Sequence, residues 1–157
     1  MVIRTETAEA EDAKALAEVS RRAFNNDIHY GAPGAGGPPG YDSEEWQHQA
    51  MRFTHYYKIV ADGRIIGGFF VYDKGPGHRE LVRIFLAPEV QNQGLGARAM
   101  QLMEQAFPDT RTWSLDTPLW NQRTQHFYEK MGYIRIGVND EGLVLYEKTM
   151  PQPASGA

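Results

Sequence analysis

The chain has 157 residues, 41% of them hydrophobic, enough for one domain with one sizeable core. Its formal net charge is −4, which argues against a general nucleic-acid binder, since such a protein needs a basic face. It has no cysteine, and so no disulfide framework, no thiolate metal site and no cysteine nucleophile.

In chain order, 2–6 has strand character, with Val2 and Ile3 β-branched. Thr7 is a candidate cap for a helix on which Ala13, Leu16, Ala17, Ser20 and Phe24 share one face. Residues 31–40 read GAPGAGGPPG, a loop without helix or strand potential. Ser43 caps a second helix to about Phe53, with Glu44 and Glu45 in its first turn. Strands follow at 56–61 and 64–73, joined at Asp62-Gly63. After a turn at Gly75-Pro76-Gly77, residues 80–86 form a continuous, mostly apolar strand, which predicts a central position. A helix over 94–107 carries the stripe Leu95, Ala99, Leu102, Met103 and Ala106. A strand at 111–115 comes next, and Trp113 is expected in the core. Asn121 caps a helix with Thr124, Phe127, Tyr128 and Met131 on one face, stopped at Gly132. Strands at 133–138 and 143–148 close the domain, 1–150, and 151–157 reads as a frayed tail. The order βααβββαβαββ predicts a single-domain α/β (α+β) fold. Its sheet is mixed and mainly antiparallel, with helices on both faces.

The segment Gln91, Asn92, Gln93, Gly94, Leu95, Gly96, Ala97 follows a strand and opens a helix. Free N–H groups at a helix N-terminus form an anion site, and the two glycines let a phosphate approach the backbone. No lysine follows Gly96, so the pattern is not a P-loop, and Ala99 fits a dinucleotide fingerprint only in relaxed form. Taken alone, the segment is as compatible with a tight turn into a helix.

Its surroundings carry more. The run 81–88, LVRIFLAP, followed by Gln91-x-x-Gly94-x-Gly96-Ala97, resembles the central motif of the GCN5-related N-acetyltransferase superfamily. A second stretch is similar to the family's helix-to-strand junction: Asn121, then Phe127-Tyr128-Glu129-Lys130-Met131-Gly132-Tyr133. The resemblance implies acetyl-coenzyme A as cosubstrate and direct attack of an amine on its thioester. It implies that the strands around 80–86 and 111–115 splay apart to admit the pantetheine arm. Backbone groups at Ile84, Phe85 and Leu86 would pair with that arm, and one N–H would polarise the thioester carbonyl. Asn92 to Ala97 would cradle the pyrophosphate, with Gln91 in the first motif position and Asn121 bonded to the arm. Tyr128 matches the family's general acid and Glu80 its carboxylate base; for Glu80 a solvated strand-end charge is an equal alternative.

On the acceptor side, Tyr30, Tyr41 and Trp120 are candidate substrate residues, as aromatics beside acids suit a cationic amine. Arg83, odd inside an apolar strand, is expected in a structural ion pair. The five histidines show no metal-ligand spacing, and no metal is expected. Met1 to Ala10 lacks a long apolar run, so no membrane association is expected and the cytoplasm is the default compartment. The acceptor is a small-molecule or peptide amine, and the resemblance implies a possible homodimer. A protein N-acetyltransferase, a non-catalytic acyl-CoA sensor and a different nucleotide-phosphate protein stay open as alternatives.

Overall fold

The computed structural model describes residues 1–151; the rest of the expected tail lies outside the described residues. Seven strands form one sheet. They are β1 (Arg4–Thr7), β2 (His55–Ala61), β3 (Arg64–Gly75), β4 (His78–Leu86), β5 (Thr112–Pro118), β6 (Ile134–Val138) and β7 (Leu143–Thr149). Their order is β1-β2-β3-β4-β5-β7-β6, so β4 is central, as its apolar run predicts. Every pairing is antiparallel except β4 with β5.

Four helices cover the sheet: α1 (Ala13–Asn25), α2 (Glu44–Phe53), α3 (Leu95–Ala106) and α4 (Gln122–Lys130). Alternation along the strands shows which face each one takes. On one face Tyr56 donates to Gln47 of α2, and Phe85 meets Phe24 of α1. On the other, Tyr57 stacks on Phe69 and meets Phe107, which ends α3 and also packs against Trp113. Trp113 is fully buried, as expected.

Two local expectations give way to tertiary context. Thr7 does not cap α1: it stays in β1, paired with Tyr57, and a 3-10 turn at Ala10–Asp12 leads into the helix instead. That turn is closed by Asp12, whose Oδ2 accepts the Glu9 N–H at 2.8 Å. On α3 the buried set is Leu95, Ala99, Met100 and Met103, while Ala106 is exposed. The helix ends just there, and Phe107 fills the core beyond it. The final two strands are consecutive in sequence, yet β7 lies inside and β6 forms the edge. Ser43 and Asn121 do cap α2 and α4, accepting the N–H groups of Trp46 and Thr124 at 3.1 Å each.

Candidate active site

β4 and β5 pair only at His78↔Thr112, Arg79↔Trp113 and Glu80↔Ser114. Both strands continue past that point, β4 to Leu86 on β3 and β5 to Pro118 on β7. Two parallel strands that part company in mid-sheet leave a cleft lined by unpaired backbone. A bulge marks the place: Phe70 pairs with Arg83 and Val71 with Leu81, so Val82 is the extra residue.

Backbone groups alternate in direction along an antiparallel pair. Ala87 N–H donates to Ile66 O at 2.8 Å, toward β3. Phe85, two residues back, therefore also turns its backbone toward β3, where it pairs with Gly68. Its ring is buried against Phe24, so Phe85 does not join the cleft contacts expected of it. Ile84 and Leu86 turn their backbones the other way, into the cleft. The Leu86 carbonyl accepts from Gln91 Nε2 at 2.8 Å, consistent with that direction.

At the cleft's outer end, the amides of Asn92 to Ala97 have no acceptor among the described residues. The first helical bond of α3 runs from Arg98 N–H to Gly94 O, 3.2 Å. Asn92 (φ 62) and Gly94 (φ 78) are left-handed, which turns successive N–H groups inward to make a nest for an anion. A Cβ on Gly94 would meet nothing within 4 Å, so the cradle is open; one on Gly96 would meet the Phe127 ring at 3.3 Å. Gly94 thus keeps the anion site clear, and Gly96 lets α3 approach α4. These features fit a pyrophosphate.

The flanking side chains form a network that the sequence did not disclose. Arg123, in the first turn of α4, donates to Gln91 Oε1 at 2.9 Å and to Asp27 Oδ1 at 3.1 Å. Its guanidinium lies 3.6 Å from the centre of the Tyr30 ring, and Asn92 Nδ2 donates to the Tyr30 hydroxyl at 3.4 Å. Burial raises the Asp27 carboxyl and the Arg123 charge partly offsets that. Tyr30 thus stands at the phosphate loop. Gln91 braces the strand end, and the Gln93 side chain binds Glu89 O at 3.2 Å.

At the inner end, Tyr128 of α4 is buried, and its hydroxyl makes no hydrogen bond among the described residues. Burial first, then the negative charges of Asp116 and Asp27, push this phenol well above its ordinary range. Asn121 is buried at the start of the same helix, as its cap. Glu80 sits at the last paired step of β4 and meets Lys74 Nζ at 3.4 Å. Asp116, two residues into the unpaired part of β5, is raised by desolvation and then by Glu80 and Glu141. Trp120 borders an open cavity of about 590 Å³ with Pro118, Leu119, Glu141, Gly142 and Leu143. Tyr41 donates to Asn25 at 2.9 Å and packs edge-on against Phe24, anchoring the glycine-proline loop to α1.

Arg83 has no ion pair among the described residues, against the expectation of one. It stacks on Trp46 and donates to Pro39 O at 2.7 Å, because the bulge at Val82 turns it under that loop. Among the described residues, no group of three or more His, Cys, Asp or Glu could hold a metal, and no helix is long and apolar enough to cross a membrane.

A mixed sheet splayed between its central parallel strands, with an anion nest at the mouth, defines a fold built to take a phosphate-bearing cosubstrate along the strand edges. Residues 15–133 match the acetyltransferase (GNAT) family, and the chain belongs to that family. The Bacillus subtilis (strain 168) protein YrkN is 34% identical over 79 residues, 49% of this chain and 43% of YrkN, so the match spans less than half of that relative. The PaiA N-acetyltransferase of Thermoplasma acidophilum, solved with coenzyme A, superposes with a TM-score of 0.79 at 20% identity, covering 96% of this chain and 100% of that one. The ribosomal-protein-S18-alanine N-acetyltransferase of Escherichia coli gives 0.75 at 14% identity, covering 99% of each chain.

Proposed function

We propose that this protein transfers an acetyl group from acetyl-coenzyme A to the amine of a small molecule. The observation that carries this reading is the unpaired stretch of β4 and β5 leading to the open amide nest at Asn92 to Ala97. Acetyl-coenzyme A supplies the acetyl group as an activated thioester.

The chain's own groups do the rest. Ile84 and Leu86 offer backbone N–H and C=O to the pantetheine arm, Leu86 by releasing Gln91. The Ile84 N–H stabilises the negative charge that grows on the thioester oxygen, a contribution on the order of 10²–10³ in rate. The nest holds the pyrophosphate, and Arg123 adds a positive charge beside it. Glu80 takes the proton from the attacking amine, directly or through water. Tyr128 returns a proton to the departing sulfur, and its raised affinity for that proton keeps it loaded at neutral pH. Asn121 keeps α4, and hence Tyr128, in place as its cap.

A small acceptor is favoured because the acceptor face is roofed by the loop 31–40. Gln47 Nε2 holds that loop at the Gly40 and Tyr41 carbonyls (3.2 and 3.4 Å), and Arg83 holds it at Pro39. Calorimetric titration with acetyl-coenzyme A, with ATP and NAD as controls, tests the reading. Selective binding of the first is the expected result; its absence at millimolar concentration would falsify it.

A further inference from the structure

One half-buried charge does no more in that mechanism than hold the loop 31–40 at Pro39. Arg83 follows the bulged Val82 and precedes Ile84, with its side chain on the α1–α2 face. Its guanidinium carbon lies 4.2 Å from the Trp46 ring centre and 5.5 Å from that of Phe70. Nη2 donates to the Pro39 carbonyl at 2.7 Å. Nη1 is shut off from solvent and has no acceptor among the described residues. Burial pushes the group down to about 10, and the ionisable neighbour acting on it is the Tyr56 phenol, not a carboxylate. It remains a cation at neutral pH.

A half-buried cation with one nitrogen shut off from solvent, and no anion paired with it among the described residues, is a costly feature for a fold to keep. Two aromatic rings and one carbonyl replace only part of its lost hydration. The group that completes a planar guanidinium is a carboxylate, which accepts two parallel N–H bonds. The opposite charge lies along the same cleft. Glu80 is three residues back on β4, about 10 Å of backbone by strand rise. Asp116 and Glu141 act on one another electrostatically beside it. The acceptor side therefore presents a cation toward one end and carboxylates toward the other.

We propose that the acceptor is an amine that also carries a carboxylate, of the amino-acid or short-peptide class, and that Arg83 binds its carboxylate. This rests on the acetyl-transfer reading above. The acceptor's oxygens take Nη1 and Nη2 as the loop 31–40 gives up its Pro39 contact, and the amine faces Glu80 and the thioester. The residue types on both sides follow from one small zwitterion. A polyamine would bring a second cation to Arg83.

The test uses matched probes: L-amino acids and dipeptides, each against its own C-terminal amide. Thiol release from acetyl-coenzyme A reports turnover, and calorimetry on the coenzyme A-loaded protein reports binding. The expected result is a preference of the wild type for the acids on the order of 10- to 100-fold in kcat/KM. Arg83→Met brings the acids down to the level of the amides, and Arg83→Lys restores part of the difference. Equal use of acids and amides by the wild type overturns the proposal, and needs no variant to fold. So does an Arg83→Met that lowers both equally, the mark of a loop anchor. If no probe turns over, absence of carboxylate-dependent binding to the loaded protein overturns it as well. Intact binding of acetyl-coenzyme A in any of these cases leaves the acetyl-transfer reading standing; its loss would remove that reading itself.

Discussion

The two sides of the cleft are made of different material. The proposed coenzyme side is backbone: the N–H and C=O groups of Ile84 and Leu86 that turn away from β3, with the Leu86 carbonyl held by Gln91, and six amides from Asn92 to Ala97 that have no acceptor among the described residues. The proposed acceptor side is side chains: Glu80 and Arg83 on β4, Asp116 on β5, Trp46 on α2 and the loop 31–40. A backbone site constrains the sequence only where glycine or a left-handed turn is required, and those positions are local and evenly spaced. A side-chain site constrains residues that are far apart in the chain. In the proposed reaction the first serves any acceptor with one coenzyme, and the second sets specificity.

The largest effect expected from breaking the backbone side comes from Gly94→Glu. The added carboxylate enters the open nest, and acetyl-coenzyme A affinity falls on the order of 100-fold or more by calorimetry. Unchanged affinity would remove the nest from the site. Tyr128→Phe should lower turnover on the order of 10²-fold while the calorimetric affinity for acetyl-coenzyme A stays the same. A parallel loss of affinity would make Tyr128 a packing residue. Arg123→Gln separates the charge network from the nest itself. Coenzyme affinity drops about tenfold, with a weaker salt dependence than the wild type. Identical salt dependence would confine Arg123 to holding Asp27 and Gln91.

On the acceptor side, Gly40→Ala places a Cβ about 2.1 Å from the Trp46 ring at a residue with φ 76. That overpacking destabilises by roughly 1–3 kcal/mol in denaturant titration, with coenzyme affinity intact. A coenzyme affinity that falls with it would mean the two sides are mechanically coupled. The smallest effect is at Asp116, whose carboxyl pKa is raised in the folded state by desolvation, Glu80 and Glu141. The stability it contributes is present below the unfolded value of about 3.9 and lost as pH rises through the folded one. Asp116→Asn should therefore leave stability at acid pH unchanged and raise it at pH 7, by about 0.5 kcal/mol or less for so exposed a group. A drop at pH 7 would show instead that the carboxylate is held by a favourable contact.

Much of this was readable along the chain. The alternation of β2 and β3 around Asp62-Gly63, the caps at Ser43 and Asn121, and the glycine pair opening α3 are local patterns, and the fold keeps them. What was misread depended on neighbours distant in sequence. Met100 displaces Ala106 from the core because α3 ends at Phe107, which packs on Tyr57 and Trp113. Phe85 leaves the cleft because the pairing of β4 with β3 fixes the direction of every second peptide. Arg123 and Asp27 are 96 residues apart and carry no signal until α4 folds beside the phosphate loop.

The sequence by itself determined the order of elements and the glycine turn that opens α3, since helix starts, turns and left-handed positions are set by residues within a few places of one another. Only the tertiary structure decided how far β4 and β5 stay paired, which way the bulge at Val82 turns Arg83, and which side chains meet across the cleft. Those depend on long-range strand register and on burial, where a single-residue shift moves a side chain to the other face of the sheet.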